Sequence, residues 1–222
     1  MKKAKMLALT AGLCLAITFI LSCEDKEKDK PATVADTAST AVTATLDTPH
    51  AFTDSRDGKT YKKVTIGSQT WMAENLNYEA KGSKCYDNKP DNCVKYGRLY
   101  DWNTALKVCP SGWHLPNRDE WQKIVDFTGG KETAGNKLKA KEGWAKKGNG
   151  TNEYGFSALP GGYGNSSGNF NEVVYSGLWW SANEDENDSD GAYSQSMGYG
   201  LKIAFWINFN KSFLFSVRCL QD

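Results

Sequence analysis

Histidine is scarce in this chain, which has only His50 and His114 among 222 residues. There is no CxxC pair either, so a zinc site lacks its usual ligands. H-E-x-x-H, G-x-S-x-G and an ordered Ser/His/Asp set are all missing, which removes the common hydrolytic constellations. Charge of one sign is missing too. The formal net charge is +1 and the basic residues are dispersed, so there is no cationic stripe of the kind a nucleic-acid binder carries, and none is expected as a partner. Long apolar stretches are few. The run from Met6 to Leu21 falls short of the roughly 20 residues that a membrane helix needs.

What is present begins with a basic start, Met1-Lys-Lys-Ala-Lys5, followed by that apolar run and Ile20-Leu21-Ser22-Cys23. The arrangement reads as a secretory signal over residues 1–22. Its end resembles the bacterial lipobox, which implies cleavage before Cys23 and a diacylglycerol on its thiol. Two or three acyl chains on one residue anchor a protein stably to a membrane. The charged run Glu24-Asp-Lys-Glu-Lys-Asp-Lys30 and the Ala/Thr/Ser-rich stretch after it show no useful period, so residues 23–53 are read as tether and linker. Acidic residues directly after the lipidated cysteine resemble surface-export signals of bacterial lipoproteins. The expected location is the outer membrane, facing outward; a spacer facing the periplasm is the plainer alternative.

Residues 54–222 are then the folded part, long enough for one domain with a real core. Cys14 leaves with the signal and Cys23 goes to the lipid, so Cys85, Cys93, Cys109 and Cys219 remain for an oxidising compartment. Three connectivities are open. Cys85–Cys93 is favoured because Tyr86-Asp-Asn-Lys-Pro-Asp-Asn92 between them is rich in turn formers.

The folded part holds many glycines and aromatics, 21 Gly and 12 % Phe, Trp and Tyr over the whole chain, which favours a turn-rich mixed domain over disorder. Tyr61–Ile66, a Gly67-Ser68 turn and Gln69–Met72 predict strand–turn–strand. Leu99, Trp102, Ala105 and Leu106 recur at helical spacing before Cys109-Pro110 stops the helix. Asn117 with Glu120 predicts a capping box for a second helix, ended by Gly129-Gly130. A short third helix is expected at about residues 131–141. From Tyr175 onward four strands are expected, at 175–182, 191–197, 202–209 and 212–219, in an antiparallel meander. Gly155-Phe-Ser-Ala-Leu-Pro-Gly-Gly-Tyr163 is followed by no helix, so its glycines do not read as a phosphate cradle. The fold class is α+β: two to three helices packed on a small antiparallel sheet with long glycine-rich loops.

Several pieces then occur in a fixed order. They are Trp71 with Asn75-Leu76, Gly97-Arg-Leu-Tyr100, Cys109-Pro-Ser-Gly-Trp-His-Leu-Pro116, Glu120-Trp121, Phe156-Ser-Ala-Leu-Pro-Gly-Gly162, Trp179-Trp-Ser181 and Ser216-Val-Arg-Cys219. This ordered set resembles the Fibrobacter succinogenes major paralogous domain, from roughly Val64 to Asp222. The resemblance implies a C-type-lectin-like domain on a surface or secreted protein. It also implies Cys109–Cys219, the counterpart of the long disulfide of that fold group. His114-Leu-Pro-Asn-Arg-Asp-Glu-Trp121 is similar to a segment of formylglycine-generating enzymes.

Three functions follow from these features. Formylglycine chemistry would need a reactive, copper-binding cysteine pair, whereas all four cysteines have structural partners in prospect; no enzyme is expected. His114, between apolar neighbours, is expected to pack or hydrogen-bond. Glu-Pro-Asn, Gln-Pro-Asp and Trp-Asn-Asp, the calcium motifs of C-type lectins, are absent. Glu184, Asp185, Glu186, Asp188 and Asp190 do offer hard oxygen donors for calcium, and the plainer alternative is a solvated acidic loop. The remaining option is a non-catalytic binding module for a polysaccharide or surface protein. Trp179, Trp180, Tyr193 and Trp206 are its candidate contacts. Trp179 and Trp180 must point to opposite faces of one strand, so one ring is expected in the core and the other at the surface. A structural envelope protein without a discrete ligand is the third option.

Overall fold

A computed structural model describes residues 50–222. The signal at 1–22, lipidation at Cys23 and the tether as far as residue 49 lie outside the described residues. The first elements are β1 (His50–Thr53), β2 (Thr60–Ile66), β3 (Gln69–Met72), α1 (Pro90–Tyr96), β4 (Leu99–Tyr100) and α2 (Trp102–Val108). Next come β5 (Trp113–His114), α3 (Arg118–Phe127), α4 (Lys131–Leu138), β6 (Tyr163–Gly164) and β7 (Phe170–Asn171). The chain ends in β8 (Ser176–Asp185), β9 (Asp188–Gly198), β10 (Ala204–Asn210), β11 (Phe215–Ser216) and β12 (Leu220–Gln221).

The class is α+β, with four α-helices among the described residues. Their ends follow local chemistry. Asp101 accepts from the Thr104 amide at 3.0 Å to start α2. Asn117 and Glu120 form both halves of the capping box on α3, at 2.9 and 2.8 Å. Helix α1 occupies part of the loop read as turns. Proline at its first turn and Gly97 just past its end at φ 77° were the available signals.

One five-stranded sheet runs β1-β2-β3-β12-β5, a second runs β10-β9-β8-β11-β4, and β6 pairs with β7. Strands β8, β9 and β10 form the expected antiparallel meander. The strand expected at 212–219 divides instead. Ser216 of β11 pairs in parallel with Trp179, while Leu220 of β12 crosses to the first sheet between Trp71 and His114. Strand β1 adds residues 50–53 to the folded part, because Phe52 stacks on Trp113 at 4.3 Å and Tyr61 at 5.6 Å.

Two cores lie on opposite faces of β8. One joins Trp179 to Trp71, Trp121, Ile124 and Phe156; the other joins Trp180 to Tyr100, Trp102, Leu178 and Phe215. Both expected disulfides are present, Cys85–Cys93 and Cys109–Cys219, with Cα atoms 4.9 and 5.9 Å apart. The second closes a loop of 110 residues. In a chain-entropy account that contributes about 4 kcal/mol. Helix α4 lies tightly on the chain entering β10. A Cβ on Gly135 would meet the Ile203 carbonyl oxygen at 2.2 Å, and the Asn136 amide donates to Lys202 O at 2.9 Å.

Candidate binding groove

The structure corrects the expectation for the tryptophan pair. Trp179 and Trp180 are both fully buried, because helices cover β8 on both faces. Trp179 Nε1 donates to Asn75 Oδ1 at 2.9 Å and Trp180 Nε1 to the Tyr100 carbonyl at 2.8 Å. Neither ring is left for a ligand.

The acidic segment is a tight hairpin, with Asp185 opposite Asp188. Among the described residues no three His, Cys, Asp or Glu side chains converge on a metal position. Glu184, Asp185, Glu186, Asp188 and Asp190 are not drawn together as the sequence reading of a calcium site required. Strand geometry spreads them, and local bonds use several of them. Glu184 pairs with Lys211 at 3.3 Å, and Asp188 Oδ1 accepts the Asp190 amide at 3.0 Å. Asp185 Oδ1 accepts from the Asn187 amide at 3.0 Å and the Tyr193 hydroxyl at 3.3 Å, and Asn208 Nδ2 donates to Oδ2. Those bonds, the Asn187 amide first, hold its carboxyl below the usual range.

Tyr193 and Trp206 are brought together. They lie on the face of β9 and β10 that also carries Trp179, and each is half-buried. The Arg118 guanidinium stands 4.2 Å from the Tyr193 ring centre and 5.2 Å from that of Trp206. It has no ion pair among the described residues, so its forked N–H donors are free at the rim. Arg118 is placed there by the first turn of α3, where its amide donates to Asn183 Oδ1 at 2.8 Å.

Beside Trp206 a cavity of about 550 Å³ opens between α3, the start of α4 and β10. Its lining includes Gln122, Asp126, Lys131, Glu132, Gln195 and Trp206. Gln195 is 1 % exposed; its Nε2 donates to Phe205 O at 3.1 Å, and its Oε1 has no partner. Whichever way the amide is turned, one of its polar atoms is unsatisfied, and a buried unsatisfied amide is costly. An aromatic wall, amides and carboxylates around an unsatisfied polar floor suit a polyhydroxylated ligand. Sequence reasoning singled out Trp206 and Tyr193, which line or adjoin this groove, and did not single out Arg118 or Gln195. Only the register places Gln195 opposite Trp206.

The remaining motif residues support the fold. Asn75 Oδ1 accepts from Arg218 Nη2 at 2.8 Å and Nε at 3.2 Å, and Asn75 Nδ2 donates to Tyr96 O at 2.8 Å. Arg218 is fully buried, donates also to Phe156 O and lies 4.3 Å from the Phe156 ring centre. His114 bonds Asp222 through Nδ1 at 2.6 Å and Glu120 through Nε2 at 3.1 Å. Burial lowers its pKa, but these two carboxylates outweigh that and hold it above the ordinary 6.5.

A family model described as Fibrobacter succinogenes major domain matches residues 64–221. No curated protein and no solved structure matches the chain.

Proposed function

The chain belongs to the Fibrobacter succinogenes major domain family, and on that footing we propose that it is a non-catalytic binding module whose groove between α3 and β10 takes a glycan. The unsatisfied Gln195 amide on the floor of a cavity walled by Trp206 carries this reading. A sugar face stacks on an indole, and hydroxyls supply the missing hydrogen bonds. Arg118 and Tyr193 extend the surface at one end. The closed pairs Cys85–Cys93 and Cys109–Cys219 favour binding over cysteine-dependent catalysis. They also suit an extracytoplasmic location. With lipid on Cys23, the module is held at the bacterial outer membrane and displayed outward.

A plant and bacterial polysaccharide array, probed with the full chain and with Trp206→Ala, tests the reading. Binding that disappears in Trp206→Ala while the fold is kept supports it. Binding that survives that change, or silence on every polysaccharide, refutes it.

A further inference from the structure

A second cavity, of about 250 Å³, lies on the other side of the contact between α4 and the chain entering β10. Its lining includes Asn136, Lys139, Lys146, Lys147, Tyr199 and Lys202. Lys139 is 2 % exposed, and its ammonium donates to Gly198 O at 3.0 Å and Leu201 O at 2.8 Å. Among the described residues it pairs with no carboxylate, and neither do Lys146, Lys147 or Lys202. The Lys139 ammonium also faces the Trp144 ring, 4.9 Å from its centre. The cavity it lines with three further unpaired lysines holds no anionic partner for any of them among the described residues, and buried or clustered cations are normally paired.

The other groups fit a sugar better than a bare ion. The Tyr199 ring forms part of the wall, with Tyr175 edge-on at 5.3 Å and the Lys146 ammonium 5.2 Å from its centre. Asn136 makes no side-chain hydrogen bond among the described residues, and the Asn149 Oδ1 bond to the Trp144 amide leaves its Nδ2 available. Amides beside an aromatic face match hydroxyls on a ring, and the ammonium groups match a carboxylate. The volume lies below that of drug-sized sites, so there is room for one ring rather than several. The walls are pinned where Gly148 meets the Tyr199 backbone; a Cβ there would lie 2.5 Å from Tyr199 O.

We propose that this lysine-lined cavity binds the carboxylate of a uronic-acid sugar, giving the module a second subsite that selects acidic polysaccharide. The subsite stands apart from the Trp206 groove and does not depend on it.

Digalacturonate, of which one ring and its carboxylate would enter the cavity, is the probe, with calorimetry on the full chain. Neutral cellobiose and inorganic sulfate are the comparison ligands. Digalacturonate is expected to bind native chain and Trp206→Ala alike, and to weaken about tenfold in Lys146→Ala or Lys202→Ala, whose side chains are exposed and leave the core intact. Absence of digalacturonate binding overturns the proposal. So does sulfate binding as tightly as digalacturonate, which would mark a bare-anion site. Loss in Trp206→Ala with no loss in the lysine variants would place the uronate in the other groove and overturn it equally.

Discussion

Lys139→Met removes a buried ammonium and keeps an unbranched stem of similar length. Burial pushes the Lys139 pKa down from 10.5 to about 8. That displacement corresponds to about 3 kcal/mol of unfavourable burial when the amine is charged. The bonds to Gly198 O and Leu201 O favour the charged form, so this is an upper bound. At neutral pH the variant escapes that cost but leaves Leu201 O without its lysine donor, about 1–3 kcal/mol, while Gly198 O still accepts from the Leu201 amide at 3.2 Å. Net stability there is a poor readout; the pH slope is a better one. Between about pH 8 and 10.5 the unfolded chain still holds a proton that the folded chain has released. Stability therefore rises with pH, by about 2 kcal/mol at about pH 9.5 relative to neutrality. The buried hydroxyls of Tyr61 and Tyr100 act oppositely above about pH 10, since burial raises both pKa values, that of Tyr61 to about 12. They are common to both chains and cancel in the difference. Urea unfolding of the full chain, followed by tryptophan fluorescence at about pH 7.5, 8.5 and 9.5, measures it. Native minus variant stability should climb steadily by about 2 kcal/mol. A flat difference would show that the two carbonyls hold the amine at its ordinary pKa, and the reasoning would fail.

Asn75→Ala should cost about 3–5 kcal/mol in the same denaturation assay, because it strips a buried guanidinium of its side-chain acceptor and orphans the Trp179 indole N–H. His114→Gln should lose a small stabilisation, under about 1 kcal/mol at this half-exposed site, seen only at low pH. Its raised pKa makes the native advantage complete below about pH 6.5 and lost as pH rises through the folded value, so a native-minus-variant difference that grows with pH would contradict it. Gly135→Ala should cost about 1–3 kcal/mol and weaken ligands of both cavities together, since the added Cβ would drive α4 off Ile203. Unchanged stability and binding in that variant would show that the helix contact does not shape the two sites.

Local rules carried the start of α3 and the hairpin at Gly67-Ser68, though not α1. Capping depends on side chains three residues apart, and strand period on neighbours two apart, so both are written in short windows. The division of the last strand was not legible. Val217 and Cys219 belong to the core that holds Trp180, while Leu220 joins the one that holds Trp179, so the chain must cross between sheets there. Nothing within the sequence Phe215-Ser-Val-Arg-Cys-Leu-Gln221 marks the crossing, because every residue in it except the last is buried. The acidic hairpin misled for a related reason. Five carboxylates in seven residues are dense in sequence, but a strand pair points neighbouring side chains to opposite faces and prevents convergence.

The location of the candidate sites follows from the burial of the tryptophan pair. Where Trp179 and Trp180 sit, β8 lies in mid-sheet with a helix against each face, and neither ring reaches solvent. The half-covered aromatics lie further out, and β10, which carries Trp206, is the edge of its sheet. Trp206 has the same alternating neighbours as Trp179, but only one side of its strand is paired, so its ring is half covered. Helix α4 then closes on the segment entering that edge strand without filling the space on either side. The Gly135–Ile203 contact leaves the groove of Gln195 and Trp206 on one side and the lysine cavity on the other. Gln195 and Lys139 are the two buried polar side chains that line these openings; Gln195 Oε1 has no partner, and the Lys139 ammonium is held by two carbonyls but no carboxylate.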